Sequence, residues 1–374
     1  IINKFEIIFK KKNKSHHDPY FNNIEKKNLS KCIDSTYVSY VGNFVNKFEK
    51  DISNFVGSKY AVATSSGTAA LHLAFKYYNL NLNHEVLVPS LTYVASINAI
   101  RYLGSSPNFV DVDKDNLGIC PIKLDEYLKK STKRIHGRLF NKKTNREIKA
   151  LLAVHLYGFP CKIDLIKKIC RKYDIILIED AAESLGSFYK SKHTGTFGQI
   201  GILSFNGNKT LTCGGGGMII TNSKKIAEKL KHLSTHAKVA SRPDHYHDEI
   251  GYNYRMTNIS AAVGCGQLSK INKILKSKRQ NFNWYKKNFR DFKSIKILKQ
   301  PEHSKSNYWL ILGKFKSKNQ KNFLFKSLRK RGFGVRLCWR PLHTLEIFKN
   351  FPKDNLKNTN QIYNHVISFP SSSL

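Results

Sequence analysis

Four short stretches carry residues whose types and spacing could do chemistry. In Ile175-Ile-Leu-Ile-Glu-Asp180 an acid ends an apolar run. In open α/β sheets, ligands bind outside the carboxyl ends of the strands. A carboxylate there can hold a metal, act as a base or pair with a protonated ring nitrogen; as a helix N-cap it would do none of these. Lys209 follows the apolar run Ile202-Leu-Ser-Phe205, within a Gly/Asn-rich loop that continues into Gly214–Gly217. An amine held near such a strand end loses solvent and becomes nucleophilic toward an aldehyde. The four glycines leave room for close backbone approach to a ligand. In Thr64-Ser-Ser-Gly-Thr-Ala-Ala70, small hydroxyl residues open a helix after a strand, which is the makeup of a phosphate site. Tyr93 stands just past the run Glu85-Val-Leu-Val88, where an aromatic ring can stack on a planar group.

An acid for a ring nitrogen, a lysine for an aldehyde, a phosphate cradle and an aromatic face together match pyridoxal 5′-phosphate. A nucleotide P-loop is excluded at Gly207-Asn-Lys-Thr210, because Asn208 stands where the second glycine is needed.

These groups need a frame. Strands are expected at Tyr60–Thr64, Glu85–Val88, Pro107–Val112, Ala150–Val154 and Ile175–Glu179. Helices are expected at Ala69–Tyr78, Tyr93–Leu103, Ile122–Lys129 and Cys161–Tyr173. Each strand is a nearly continuous apolar run, as in a sheet covered on both faces, and strand–helix alternation at this spacing gives a mainly parallel sheet. Thr36–Phe55 reads as an approach strand and a helix. Lys14–Lys27 reads as an exposed polar connection, and Arg134–Lys149 as an exposed basic insertion. A long charged helix is expected over Gln267–Phe289. The division that follows is an N-terminal helix and connection (1–30), a large domain (31–265) and a small C-terminal domain (266–374).

Composition bounds the remaining options. The 374 residues include 64 Lys+Arg against 26 Asp+Glu, a net charge of +38. The excess is mostly lysine and is spread along the chain, whereas base-reading proteins lean on arginine. A dedicated nucleic-acid function is therefore not expected; a surface that attracts anionic small molecules is. The seven cysteines form no C-x-x-C pair, so neither a disulfide framework nor a metal site is expected. No apolar stretch reaches membrane-spanning length. The opening apolar residues precede the lysine run Lys10–Lys12, the reverse of a secretory signal, which favours a short amphipathic helix and a cytoplasmic protein.

The sequence resembles the DegT/DnrJ/EryC1/StrS family of nucleotide-sugar aminotransferases from about residue 30 to the end. The motifs that carry the resemblance are Ser65-Ser-Gly-Thr-Ala69, Glu179-Asp-Ala-Ala-Glu183, Ser204-Phe-Asn-Gly-Asn-Lys209 with its glycines, and Gly251-Tyr-Asn-Tyr-Arg-Met256. Within the family it is most similar to the LegC-type branch, linked to legionaminic acid. That likeness rests on Asp34-Ser-Thr-Tyr-Val-Ser39, His193–Gly198, His247–Met256, Ser306-Asn-Tyr-Trp309 and Pro370-Ser-Ser-Ser373.

The resemblance implies the fold-type-I aminotransferase fold, a large domain with a mainly parallel mixed sheet between helices and a smaller C-terminal α+β domain. It implies pyridoxal phosphate, with PMP as the amine-carrying form, and a homodimer with two shared sites. Lys209 would bind the cofactor's aldehyde and shuttle protons, and Asp180 would hold the ring nitrogen protonated. Thr68, Ala69 and Ser204 would hold the phosphate, Tyr93 would stack on the ring, and Glu183 would lie near the ring's 3′-oxygen. Asn253 would reach the neighbouring subunit's cofactor phosphate. Arg340, His343 and His155 are the candidates for substrate contacts. The implied reaction moves an amino group from L-glutamate, leaving 2-oxoglutarate, to a nucleotide-linked 4-keto-6-deoxy sugar. Amination at C3, or a non-catalytic regulator or nucleic-acid binder on the same fold, are the rival readings. Two departures stand out: many relatives have Gln or His where Glu183 stands, and many have Asp where Gln199 stands.

Overall fold

The computed structural model describes residues 2–3, 15–239 and 241–372. The expected opening helix falls almost wholly on residues outside these. A nine-stranded mixed sheet forms the centre. Its path runs Tyr60–Thr64, Gly217–Thr221, Ile200–Ser204, Ile176–Asp180, Glu147–Val154, His84–Pro89, Ser106–Val110. The pairings from Ile200–Ser204 to Ser106–Val110 are parallel, and Gly217–Thr221 is antiparallel to both of its neighbours. Five parallel strands thus end on one edge, and the chain leaves them at Ser90, Asp111, His155, Ala181 and Phe205.

The helices follow local signals. Ser66 caps Gly67–Tyr77 by accepting from Ala69 N, and Ser223 caps Lys224–Leu233 in the same way. Ile163–Tyr173 buries Ile163, Ile166 and Cys170 at helical spacing against the sheet.

A second, four-stranded antiparallel sheet follows, in the order Ile295–Ile297, Ile311–Phe315, Val366–Phe369, Arg336–Leu337. Its apolar face shares one buried cluster with the main sheet's helices, including Trp309, Phe369 and Ile97.

Three expectations are corrected and one is trimmed. No strand forms over 36–42; that segment approaches the helix Asn43–Val56 as irregular chain, with Gly42 at the cap. The polar stretch 14–27 is not an exposed connection. His16 and His17 are buried, and a capping box at Asn22/Glu25 starts the helix Asn23–Asp34. The basic stretch 134–149 is no loose insertion: Thr132–Ile135 and Arg138–Asn141 form a hairpin on the edge of Glu147–Val154. Beneath it the buried Glu85 carboxylate accepts from Asn108 Nδ2 (2.8 Å), Asn141 Nδ2 (2.9 Å) and Thr144 Oγ1 (2.5 Å), so the polar residues that suggested exposure are satisfied inside. The long helix expected over Gln267–Phe289 forms as Ile271–Asn288; it starts later because Lys270, which parts it from the helix Asn258–Leu268, turns inward to a buried ion pair with Glu25.

Candidate active site

The C-terminal edge of the parallel strands gathers the predicted groups. Asp180 is the last residue of its strand, with Ile202 and Val154 as cross-strand neighbours. Its carboxylate is buried and accepts from Ser96 Oγ at 2.9 Å and Ala182 N at 3.1 Å. The second contact fixes a turn, since no helix follows at Ala181. Burial pushes the Asp180 carboxyl up, against the pull of these hydrogen bonds and of the Lys209 charge.

Lys209 sits in the loop after Ile200–Ser204, its backbone N–H bound to Asn206 O at 2.9 Å. Its side chain is largely buried, at 13% exposure. Nζ lies 3.4 Å from Glu183 Oε1 and 4.3 Å from the centre of the Trp309 ring. Glu183 also accepts from Tyr157 N at 2.7 Å, and burial pushes its carboxyl up.

The turn Ser65–Thr68 opens a helix whose first-turn N–H groups have no intrahelical partner by position. Ser204 closes on it: a Cβ placed on Gly67 would stand 3.0 Å from Ser204 Cβ. Tyr93 is half exposed just ahead of the helix Ala95–Tyr102, with its ring 5.2 Å from that of Trp339.

A buried carboxyl at a strand end, an amine within reach, an anion-ready helix start narrowed by Gly67, and an aromatic ring with free surface fit pyridoxal phosphate on the chemistry of the donors alone.

Not every predicted residue joins them. His155 is fully buried. Its Nε2 bonds Glu179 Oε2 at 2.9 Å, and its Nδ1 accepts from Cys161 N at 3.1 Å. With both nitrogens occupied, it has no atom for a sugar; it supports Asp180 from behind, donating its backbone N–H to Asp180 O at 3.0 Å. With Nδ1 accepting, the ring is neutral and donates its one N–H, on Nε2, to the Glu179 carboxylate.

His343 lies near the mouth, with Nδ1 2.7 Å from Ser90 Oγ, and Arg340 is exposed with Nε bonded to Thr344 Oγ1 at 3.3 Å. Asn253 is exposed and bridges to Thr235, so within one chain it does not contribute to the Lys209 cluster. Gln199 exchanges bonds with the Leu177 backbone and serves the sheet.

Sequence reasoning missed several participants. Glu179 accepts from Gly195, Phe197 and Gly198 N–H groups as well as from His155, which ties the 193–198 loop to the sheet. Asn307 donates to Glu183 O and Leu185 O, both at 3.0 Å, and accepts from Trp309 N at 2.8 Å. Trp309, Tyr157 and Trp339 form a column of nearly parallel rings 6.3 and 6.0 Å apart. The sequence signals were the Glu beside Asp180, the Ser306-Asn-Tyr-Trp309 motif and, for Trp339, its place in the run Arg336-Leu-Cys-Trp-Arg-Pro-Leu-His343 that supplies Arg340 and His343.

The profile of the DegT/DnrJ/EryC1/StrS aminotransferase family matches residues 19–374. The chain belongs to this family. It is therefore a pyridoxal phosphate-dependent nucleotide-sugar aminotransferase with the fold expected from its sequence. It is 36% identical over 332 residues to a GDP-perosamine synthase of Escherichia coli O157:H7, covering 89% of this chain and 86% of the relative. It is 32% identical over 336 residues to the UDP-4-amino-4,6-dideoxy-N-acetyl-beta-L-altrosamine transaminase of Campylobacter jejuni, covering 88% and 85%. A crystal structure of a family aminotransferase from Brucella abortus superimposes with a TM-score of 0.85 at 25% identity, covering 93% of this chain and 90% of that one. Among the described residues no helix is long and apolar enough to cross a membrane.

Proposed function

We propose that this aminotransferase carries an amino group from L-glutamate to C4 of a nucleotide-linked 4-keto-6-deoxy sugar. The product would serve a cell-surface polysaccharide or a legionaminic-type acid. The observation that carries the reading is the placement of the Lys209 amine between the Glu183 carboxylate and the Trp309 face. The relatives support the substrate class. One makes a GDP-linked amino sugar, and the other's name places its amine on C4 of a 6-deoxy sugar.

When bound, pyridoxal phosphate supplies an electron sink for the carbon that loses its proton. The rest falls to this chain's residues. Asp180, buried and without a cationic partner in hydrogen-bond contact, would hold the ring nitrogen protonated. Thr68, Ala69 and Ser204 would hold the phosphate at the helix start, and Tyr93 would cover the ring. Lys209 Nζ would take the proton from the donor's Cα and later return one to the sugar carbon, so one base would serve both half-reactions. Glu183 would keep that amine in place between them. Asn253, exposed here, would complete the site of a second copy in a homodimer, and Arg340 and His343 would meet the sugar nucleotide.

The test is spectroscopic. Purified protein loaded with pyridoxal phosphate is titrated with L-glutamate, then with a panel of keto-sugar nucleotides. Loss of the cofactor's visible band with glutamate and its return with a 4-keto sugar supports the reading. A protein whose band ignores glutamate is not an aminotransferase of this kind.

One observation favours a second reading, an anion-binding role separate from catalysis. A groove of about 1330 Å³ is lined by Lys114, Lys162, Lys190, Arg279, Lys286 and Lys296, among others. Acids already meet two of these, with Asp113 at 2.8 Å from Lys162 and Asp164 at 2.6 Å from Lys190. Titration with labelled single-stranded DNA at rising salt separates the readings: tight binding that persists at physiological salt would support the second.

A further inference from the structure

His17 is 8% exposed, and among the described residues neither of its ring nitrogens has a hydrogen-bond partner on another residue. A buried imidazole left in that state costs free energy, so such groups ask for a partner that the isolated chain does not hold.

Its position is fixed from both sides. Ser371 N donates to His16 O at 2.9 Å, His16 Nε2 lies 2.9 Å from Ser368 Oγ, and Asp18 N donates to Ser372 Oγ at 2.8 Å. This strap leaves the His17 ring 6.4 Å from that of Trp309, tilted by 58°. Trp309 is the ring under the Lys209 amine, and its Nε1 donates to the carbonyl of Asn208, one residue before Lys209, at 2.7 Å. The far end of the aromatic column repeats the pattern: Trp339 Nε1 is buried and also unpartnered. Two rings with orphaned nitrogens, three nitrogens in all, therefore flank one column of aromatic rings, with the Lys209 amine on the face of Trp309.

The charged and titratable groups around His17 are Lys278, His16 and Lys209. No acid faces it among them, and burial adds to their effect, so the ring is held neutral. A neutral imidazole offers one donor and one acceptor. A sugar hydroxyl matches both, whereas a phosphate only accepts.

We propose that His17 is a substrate-binding residue that takes a hydroxyl of the amino or keto sugar beside the Trp309 ring on which the Lys209 amine rests. The proposal deepens the aminotransferase reading and rests on it.

The test uses the pyridoxal phosphate-loaded enzyme with GDP-perosamine as amine donor and 2-oxoglutarate as acceptor, beside the L-glutamate half-reaction. UDP-4-amino-4,6-dideoxy-N-acetyl-β-L-altrosamine serves as the alternative sugar. His17→Phe keeps an aromatic ring and removes both nitrogens; His17→Gln restores a donor and an acceptor. The phenylalanine variant should raise the KM for the amino sugar by roughly 10-fold, as for one lost hydrogen bond. It should weaken the sugar's binding in calorimetry by the same factor and move the glutamate KM far less. The glutamine variant should recover most of the difference. Unchanged sugar binding in His17→Phe overturns the proposal, as does an equal loss on both sides with a lowered Tm. Wild-type enzyme that reacts with glutamate but binds neither amino sugar overturns it too. Wild-type enzyme that ignores glutamate defeats the aminotransferase reading itself.

Discussion

The amine of Lys209 is shared between an acid and a ring: Glu183 Oε1 lies 3.4 Å away, and the Trp309 face 4.3 Å. Glu183 is in turn fixed by the Tyr157 N–H, and Asn307 holds its carbonyl. The lysine therefore has a defined resting place that two distant segments of chain must cooperate to build.

Lys209→Ala should remove both half-reactions, with a loss of at least ~10³-fold, because proton transfer by a positioned base contributes on that order. The protein should still fold, since the side chain is partly open at the site and its backbone bond to Asn206 survives. The check is reduction of the loaded protein with borohydride followed by peptide mass spectrometry. Wild type should carry the label on the Lys209 peptide, and the variant none there. A variant that still turns over glutamate at the wild-type rate would remove Lys209 from the mechanism.

Glu183→Gln keeps the bond to Tyr157 N and removes the charge beside Lys209. Activity should fall by about 10-fold to 10²-fold, the order expected when one preorganised electrostatic contact is lost. The acid limb of the rate profile should also shift, because burial holds this carboxyl above its ordinary value. Rates measured across pH in both half-reactions test this. A profile that superimposes on wild type would mean that Glu183 only positions the chain.

Asp180→Asn should preserve the Ser96 and Ala182 contacts in shape while removing the charge available to the ring nitrogen. Turnover is expected to fall by about 10²-fold or more, with Tm changed little. A large drop in Tm with intact turnover in the surviving fraction would reassign Asp180 to structure.

How far these roles were readable without coordinates depends on how local their signals are. Asp180 and Lys209 stand beside continuous apolar runs, and such runs announce buried parallel strands and their ends. The helix start at Ser66 carries its own capping residue. The hairpin at Thr132–Asn141 was hidden because its inward polar groups are satisfied by Glu85, more than forty residues earlier. His17 was hidden for the same reason in stronger form: it reaches Trp309 only through tertiary packing, and it lies in no motif. His155 shows the opposite error. It does lie at a strand end, but the hydrogen bond to Glu179 turns the ring inward.

Gly158→Ala tests the joint between the Tyr157 turn and Asn307. Gly158 has φ +88°, and a Cβ there would stand 1.9 Å from Asn307 Oδ1. Left-handed backbone and a direct clash both oppose alanine, at a cost of about 1–3 kcal/mol or more. The displaced Asn307 would also release the Glu183 carbonyl, so activity should fall beyond the change in stability. Denaturant melts alongside turnover per folded molecule check both halves. A variant as stable as wild type would show that the turn can relax.

The buried pair His155–Glu179 predicts how stability varies with pH. The two side chains are 2.9 Å apart with no exposure, and Glu179 also accepts from Gly195, Phe197 and Gly198. Despite burial, the His155 ring and the loop N–H groups hold the Glu179 carboxyl below its ordinary value. A lowered folded-state pKa means that the unfolded chain holds the proton more tightly than the folded protein. The stability Glu179 contributes is therefore present above the ordinary carboxyl range and is lost as pH falls through the lowered value. His155 Nδ1 accepts from the Cys161 N–H, so the ring is neutral with its one proton on Nε2, and the pair adds no loss at alkaline pH. Glu179→Gln leaves the loop N–H groups and the His155 Nε2–H with one amide oxygen to share, and should cost about 1–3 kcal/mol for each donor left unpaired. The acid decline in Tm should be shallower in that variant than in wild type. Thermal melts of both from pH 4 to 10 decide it. A wild-type Tm that falls from pH 7 to 10 while the variant's stays level would mean that the folded protein holds His155 as an imidazolium.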